Sequence, residues 1–136
     1  MYLCYGIHHL FNVVTHTKDT PHAILIRALE PVTGIDYMLQ RCHKKKMDYT
    51  LTAGPGNLSR ALGINHRLHT GMPLTGDKIW IEDTGKKISS SKIIVNTRVG
   101  VNYALDDAYL PYRFYIKDNP WISKGKGLDL PEKKKS

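Results

Sequence analysis

His22-Ala-Ile-Leu-Ile-Arg-Ala-Leu-Glu30 is followed at once by Pro31-Val-Thr-Gly-Ile-Asp36. The first run is nearly continuous in apolar residues, which predicts a strand buried on both faces. Its single internal charge, Arg27, then needs a partner or a function. The second run reads as a helix start, because Thr33 and Asp36 stand at capping-box spacing and can satisfy free backbone donors. Ile35, Met38, Leu39 and Cys42 fall on one helical face, and Lys44-Lys45-Lys46 crowd the end where the helix dipole favours cations. A buried strand passing straight into an amphipathic helix, with no regular strand–helix alternation elsewhere, points to an α+β fold with a largely antiparallel sheet.

The flanking segments agree. Tyr2 to Tyr5 is a short aromatic-apolar stretch that Gly6 interrupts, as a bulge or tight bend would. Ile7 to Val14 resumes as a strand, and a polar loop runs from Thr15 to Thr20. Leu51-Thr-Ala-Gly-Pro-Gly-Asn57 is a turn into a short helix carrying Leu58, Ala61 and Leu62 and stopped by Gly63. Lys78-Ile-Trp-Ile-Glu82 alternates with period two, Ile93-Ile-Val95 leads to Arg98-Val-Gly-Val101, and Arg113-Phe-Tyr-Ile-Lys117 alternates before the turn Asp118-Asn-Pro120. No repeat or linker divides the chain. The expectation is one domain over residues 1–123 and a basic, disordered tail over 124–136.

The 136 residues are 41% hydrophobic and 24% charged, the balance of a soluble globular domain. No apolar run approaches the ~18 residues of a membrane span. Cys4 and Cys42 form no CxxC pair and fit a reducing compartment, so the chain is expected in the cytoplasm and, in a bacterium, at the nucleoid. Twenty Lys+Arg against twelve Asp+Glu give a net charge of +8, which favours an anionic partner such as nucleic acid. Two lysine runs, 44–46 and 133–135, supply six of those cations; without them the balance is 14 to 12, and such runs are commonly solvated faces or tails.

Candidate chemistry is sparse. Of seven histidines only His66 and His69 have helix-like spacing, and no HExxH motif or Cys/His cluster accompanies them. There is no GxSxG elbow, and Gly54-Pro55-Gly56 lacks the Lys-Ser/Thr of a P-loop. That turn is either ordinary or a place where free helix amides hold one phosphate. Tyr2 and Tyr5 flank a strand break with His8 and His9 just beyond; such rings either pack an edge or stack on bases. Asn12, between Phe11 and Val13, must find hydrogen-bond partners if buried.

Taken together, Tyr2-Leu-Cys-Tyr-Gly-Ile-His-His-Leu-Phe-Asn12, Ala23-Ile-Leu-Ile-Arg27-Ala-Leu-Glu-Pro31 and Leu51-Thr-Ala-Gly-Pro-Gly-Asn-Leu58 resemble the alkyladenine (3-methyladenine) DNA glycosylase family. Arg98-Val-Gly-Val101 and Pro111-Tyr-Arg-Phe-Tyr115 with Pro120-Trp121 extend the resemblance in family order. It implies a formyltransferase C-terminal-like fold, a partly open Greek-key antiparallel barrel with flanking helices. It also implies base excision repair: an alkylated or deaminated purine is flipped from duplex DNA and its N-glycosidic bond is hydrolysed.

By that resemblance Tyr5 is the wedge that replaces the flipped nucleotide, and Ile7 and His8 line the DNA-facing edge beside it. Tyr2 is a wall of the base pocket, and Asn12 rejects the exocyclic amino group of guanine. Arg27 and the Val99 carbonyl hold the attacking water. No cofactor and no metal are implied, and the expected partner of a monomeric protein is double-stranded DNA carrying damaged purines. The family's general base lies in a Glu-x-Glu-Ala-Tyr-like segment upstream of the wedge, which this sequence lacks; neither Glu30, Glu82 nor Asp83 matches it. The chain is accordingly expected to be the C-terminal part of a glycosylase without its first segment and inactive alone. A non-catalytic DNA-binding remnant is the competing reading, and a basic RNA-associated protein a third.

Overall fold

The computed structural model describes residues 1–129, which form two compact units. The first comprises Met1–Thr84 with Pro120–Ser123 and the second Gly85–Asn119 with residues 124–129.

The first unit opens with a hairpin of β1 (Tyr2–Cys4) and β2 (His8–Leu10), then a ribbon of β3 (Asn12–Val14) and β4 (Ala23–Leu25). Phe11 separates β2 from β3, so the expected single strand over residues 7–14 is two strands with different partners. The reason is burial: Phe11 leaves the surface to join Leu58 and Ile64 in the core, against Met1, Val13, Ile26, Leu62, Leu74 and Ile79. The run from His22 to Glu30 is a strand for only three residues, and Ala23 and Ile24 are exposed. Burial on both faces needs a layer on each side, and a two-stranded ribbon has cover on one.

Helix α1 (Ile35–Arg41) carries Ile35, Met38 and Leu39 half-buried on one face, with Cys42 just beyond. Its N-cap is Gly34 at φ 70, and no side chain caps it. The left-handed turn at Gly34 takes the place of the expected Thr33–Asp36 capping box. Helix α2 (Pro55–Leu62) ends at Gly63, at φ 71, as expected, but it begins at Pro55, inside the segment read as a turn. Arg41 locks the two helices together, its Nη1 donating to the Ala61 carbonyl at 3.1 Å while its guanidinium lies over Gly63. A short helix α3 (His66–His69) follows, its first turn capped by Asn65, whose Oδ1 accepts from the Leu68 N–H. Among the described residues the alternating Lys78–Glu82 segment finds no partner strand; a Thr75–Trp80 bridge closes its turn, and Trp80 and Ile81 remain exposed.

In the second unit β5 (Ile93–Asn96) pairs antiparallel with β6 (Arg113–Ile116). Arg113 is buried beneath this ribbon, its Nη1 donating to the Gly125 carbonyl at 2.6 Å and its guanidinium lying 5.0 Å from the Tyr115 ring centre. The Thr97 hydroxyl donates to the Leu128 carbonyl, so residues 124–128, read from sequence as the start of a tail, are held at two points. Lys133 to Lys135 lie outside the described residues. All three ribbons are antiparallel, and among the described residues they do not join into a closed barrel.

Candidate nucleic-acid interface

The β1–β2 hairpin pairs Tyr2 with Leu10, Leu3 with His9 and Cys4 with His8. Strand alternation therefore puts Tyr2, Cys4, His8 and Leu10 on one face and Leu3 and His9 on the other. Between the strands, the Ile7 N–H donates to the Cys4 carbonyl at 3.2 Å. Tyr5 has φ 51 and Gly6 φ 70, so both central residues are left-handed, as a primed hairpin turn demands. Glycine adopts that geometry freely; a tyrosine is strained by about 1–2 kcal/mol. Side-chain burial does not offset that strain, since Tyr5 is 87% exposed and Ile7 70%. The hairpin tip thus presents a strained aromatic side chain to solvent.

The base of the hairpin is seated on helices. A Cβ on Gly56, in the first turn of α2, would stand 2.9 Å from His8 Nδ1, so glycine there lets the ring lie directly on the helix. His9 reaches α3, where its ring stacks on His66 with centroids 5.1 Å apart. His66 thus turns to His9 while the His69 ring contacts the Asn65 backbone, and the pair spaced for a metal is split between two tasks. Among the described residues no three metal-capable side chains cluster.

Asn12 stands on β3 with its Nδ2 3.4 Å from the Leu10 carbonyl, and it borders a cleft of about 310 Å³. Phe11, Met72, Leu74 and Ile79 make that cleft mainly apolar, and His69 adds a second polar edge. Arg27 is half-buried; its Nη2 donates to Ser123 Oγ at 3.1 Å and its carbonyl accepts the Gly54 N–H at 2.9 Å. The strand-end arginine is therefore tied to the turn that starts α2.

A model of the methylpurine-DNA glycosylase family matches residues 1–120. The chain belongs to this family. It is 43% identical over 124 residues to a protein of Carboxydothermus hydrogenoformans and 38% identical over 131 residues to one of Alkaliphilus oremlandii. A protein of Bacillus cereus strain G9842 is 45% identical over 132 residues. All three are named, provisionally, 3-methyladenine DNA glycosylases. The matches take in 91% of this chain and 62%, 63% and 64% of the respective relatives, so the chain spans somewhat less than two-thirds of their length.

Within this glycosylase-family chain, the first unit brings together six of the residues singled out from sequence. Tyr5, Ile7 and His8 share the hairpin tip and its edge, and Tyr2, 61% exposed, stands on the His8 face. Asn12 follows on the next strand, and Arg27 lies two residues beyond β4. Val99 belongs to the second unit, where its side chain packs so closely on Gly125 that a Cβ there would lie 2.5 Å from Cγ1. Sequence reasoning missed Gly56 as the seat of His8, although a glycine inside a helix start was a signal for close approach. It also missed Ser123, 96 residues from Arg27, for which no local signal exists.

The first lysine run is partly committed. Lys44 Nζ donates to Asp48 at 2.7 Å and to Thr50 at 2.8 Å. The hydrogen bonds from Lys44 and Thr50 pull the Asp48 carboxyl down to about 2. Lys45 and Lys46 stay exposed. Burial pushes the Cys42 thiol up, against the opposing field of Arg60, Lys44 and Arg41.

Proposed function

We propose that this chain is the lesion-recognising portion of a 3-methyladenine-type DNA glycosylase acting in base excision repair. The observation that carries the proposal is the hairpin tip, a strained and solvent-exposed tyrosine on a seated base. Tyr5 enters the stack where a damaged purine is extruded, and Ile7 and His8 follow the duplex edge. Flipping costs a few kcal/mol, least where the base is damaged, so damage itself contributes selectivity. Tyr2 stacks on the extruded base, and an alkylated purine's positive charge gains ~0.5–2 kcal/mol over an aromatic face. Asn12 disfavours guanine, whose amino group would be left badly paired against it.

Arg27 is proposed to help hold the attacking water. The bond broken joins base to sugar through an oxocarbenium-like state, which needs a carboxylate to take the proton from water. Glu30 and Glu82 are both exposed and match no such position, so these 136 residues bind lesions without excising them. Duplexes carrying hypoxanthine or 3-methyladenine, compared with unmodified duplex, test this. Tighter lesion binding without base release is the expected result; equal affinity for both duplexes would overturn the recognition role, and robust release the missing base.

A further inference from the structure

The pairing of His9 with His66 has no place in that scheme, yet it lies directly behind the hairpin. The His66 main-chain N–H points at His9 Nδ1 from 3.2 Å, and His66 Nδ1 stands 3.1 Å from the same atom. A backbone N–H can only donate. His9 Nδ1 must therefore be an acceptor, which puts the His9 proton on Nε2 and makes the His66 Nδ1 the protonated partner. Among the described residues no third metal-capable side chain joins the pair. What the arrangement does is mechanical. His66 follows Asn65, the cap of α3, and Ile64, a member of the buried core. His9 lies in β2, opposite Leu3 in β1. Two hydrogen bonds and a ring stack thus tie the middle of the hairpin to the core-anchored start of α3.

We propose that His66 is a positioning residue, which through His9 holds the Tyr5 hairpin in the orientation that meets DNA. The dock itself is independent of the glycosylase reading; its consequence for lesion preference rests on that reading. The probes are a duplex with one hypoxanthine and its unmodified counterpart, titrated with the full chain, together with ¹⁵N spectra of the histidine side chains. His66→Ala removes one hydrogen bond and the stack but keeps the main-chain donor. It should lower the preference for the lesion about 2- to 10-fold, the worth of one net hydrogen bond, and leave affinity for unmodified duplex unchanged. His66→Asn places a side-chain N–H close to where Nδ1 stood and should restore the preference.

The spectra supply a reading that does not involve DNA. In the native chain His9 should carry its proton on Nε2, with Nδ1 shifted as a hydrogen-bonded acceptor. In His66→Ala that acceptor signature should weaken, and amide exchange across residues 3–10 should rise about 2- to 10-fold. A His9 protonated on Nδ1, or hairpin exchange unmoved by His66→Ala, would overturn the dock. A native lesion preference that His66→Ala leaves intact would overturn its positioning role. If the native chain shows no lesion preference, the recognition reading fails and the spectra alone judge the dock. If His66→Ala does not fold, the His9 tautomer in the native chain and in His66→Asn decides.

Discussion

Tyr5→Gly and Tyr5→Ala remove the same ring from the hairpin tip but leave different backbones behind. At φ 51 a residue with a Cβ is strained by about 1–2 kcal/mol, and alanine keeps that strain while glycine sheds it. Glycine's greater freedom in the unfolded chain takes back about 0.5–1 kcal/mol. The ring is 87% exposed, so losing it forfeits little packing in either variant. The glycine variant should therefore be at least as stable as the alanine variant, and by up to about 1.5 kcal/mol more so, in urea denaturation. On DNA the order disappears. Both variants lose a stacking contact worth about 1–3 kcal/mol, which is about 5- to 150-fold in affinity for a hypoxanthine duplex at roughly 1.4 kcal/mol per decade. Affinity for unmodified duplex should hold, as measured by fluorescence anisotropy at fixed salt. An alanine variant more stable than the glycine variant would refute the strained turn. Equal losses on both duplexes would refute the wedge.

Gly63→Ala should destabilise the first unit by about 1–2 kcal/mol, because its φ of 71 is left-handed and the Arg41 guanidinium lies 2.9 Å from the new Cβ; the urea midpoint should fall with the slope unchanged. Asp48, lowered to about 2 by Lys44 and Thr50, lends its stabilisation above the ordinary carboxylate range and loses it as pH falls through about 2. The Thr50 amide shift should follow that step, and Asp48→Asn should abolish it. With Lys44 tied to Asp48, Lys45→Ala and Lys46→Ala test the phosphate contacts: each should lower the slope of log affinity on log salt by about 0.9 and leave the lesion-to-unmodified ratio unchanged.

What could be read from sequence was what a few neighbouring residues determine. The Gly63 stop of α2 depends on local backbone geometry and is where the sequence puts it, whereas the helix starts at Pro55, within the residues read as a turn. The β6 segment likewise carries its own alternation and β5 a short β-branched run, and the two pair with each other. The failures are those of segments whose state depends on a distant partner. Residues 22–30 and 78–82 both have strand-like patterns, yet one finds three residues of β3 to pair with and the other finds a single bridge. The capping box failed for a local reason, since Gly34 can take a left-handed cap that Thr33 would need to displace. Among the candidate site residues, Tyr5 and Asn12 drew attention by their type in their own strand. The groups that hold the neighbourhood in shape, Gly56, His66 and Ser123, are 48, 57 and 96 residues from the side chains they meet, and only the folded chain connects them.

A wedge gains affinity only if its turn is already ordered. Freezing the three loop residues Tyr5 to Ile7 from a mobile state would cost about 1–2 kcal/mol apiece, as much as or more than the about 1–3 kcal/mol that one stacked ring returns. A tip that is strained but loose would therefore bind no better than no wedge at all. The anchors at the hairpin base, His8 on Gly56 and His9 on His66, offset that cost before DNA arrives. It follows that the anchor is worth something to lesion binding only while there is a ring to hold. Tyr5→Ala and His66→Ala should then be strongly non-additive: the double variant should lose no more lesion preference than Tyr5→Ala alone. In amide exchange, by contrast, His66→Ala should loosen residues 3–10 to the same degree whether or not the ring is present. Additive losses in lesion preference would mean that His66 acts on DNA by some route other than the hairpin.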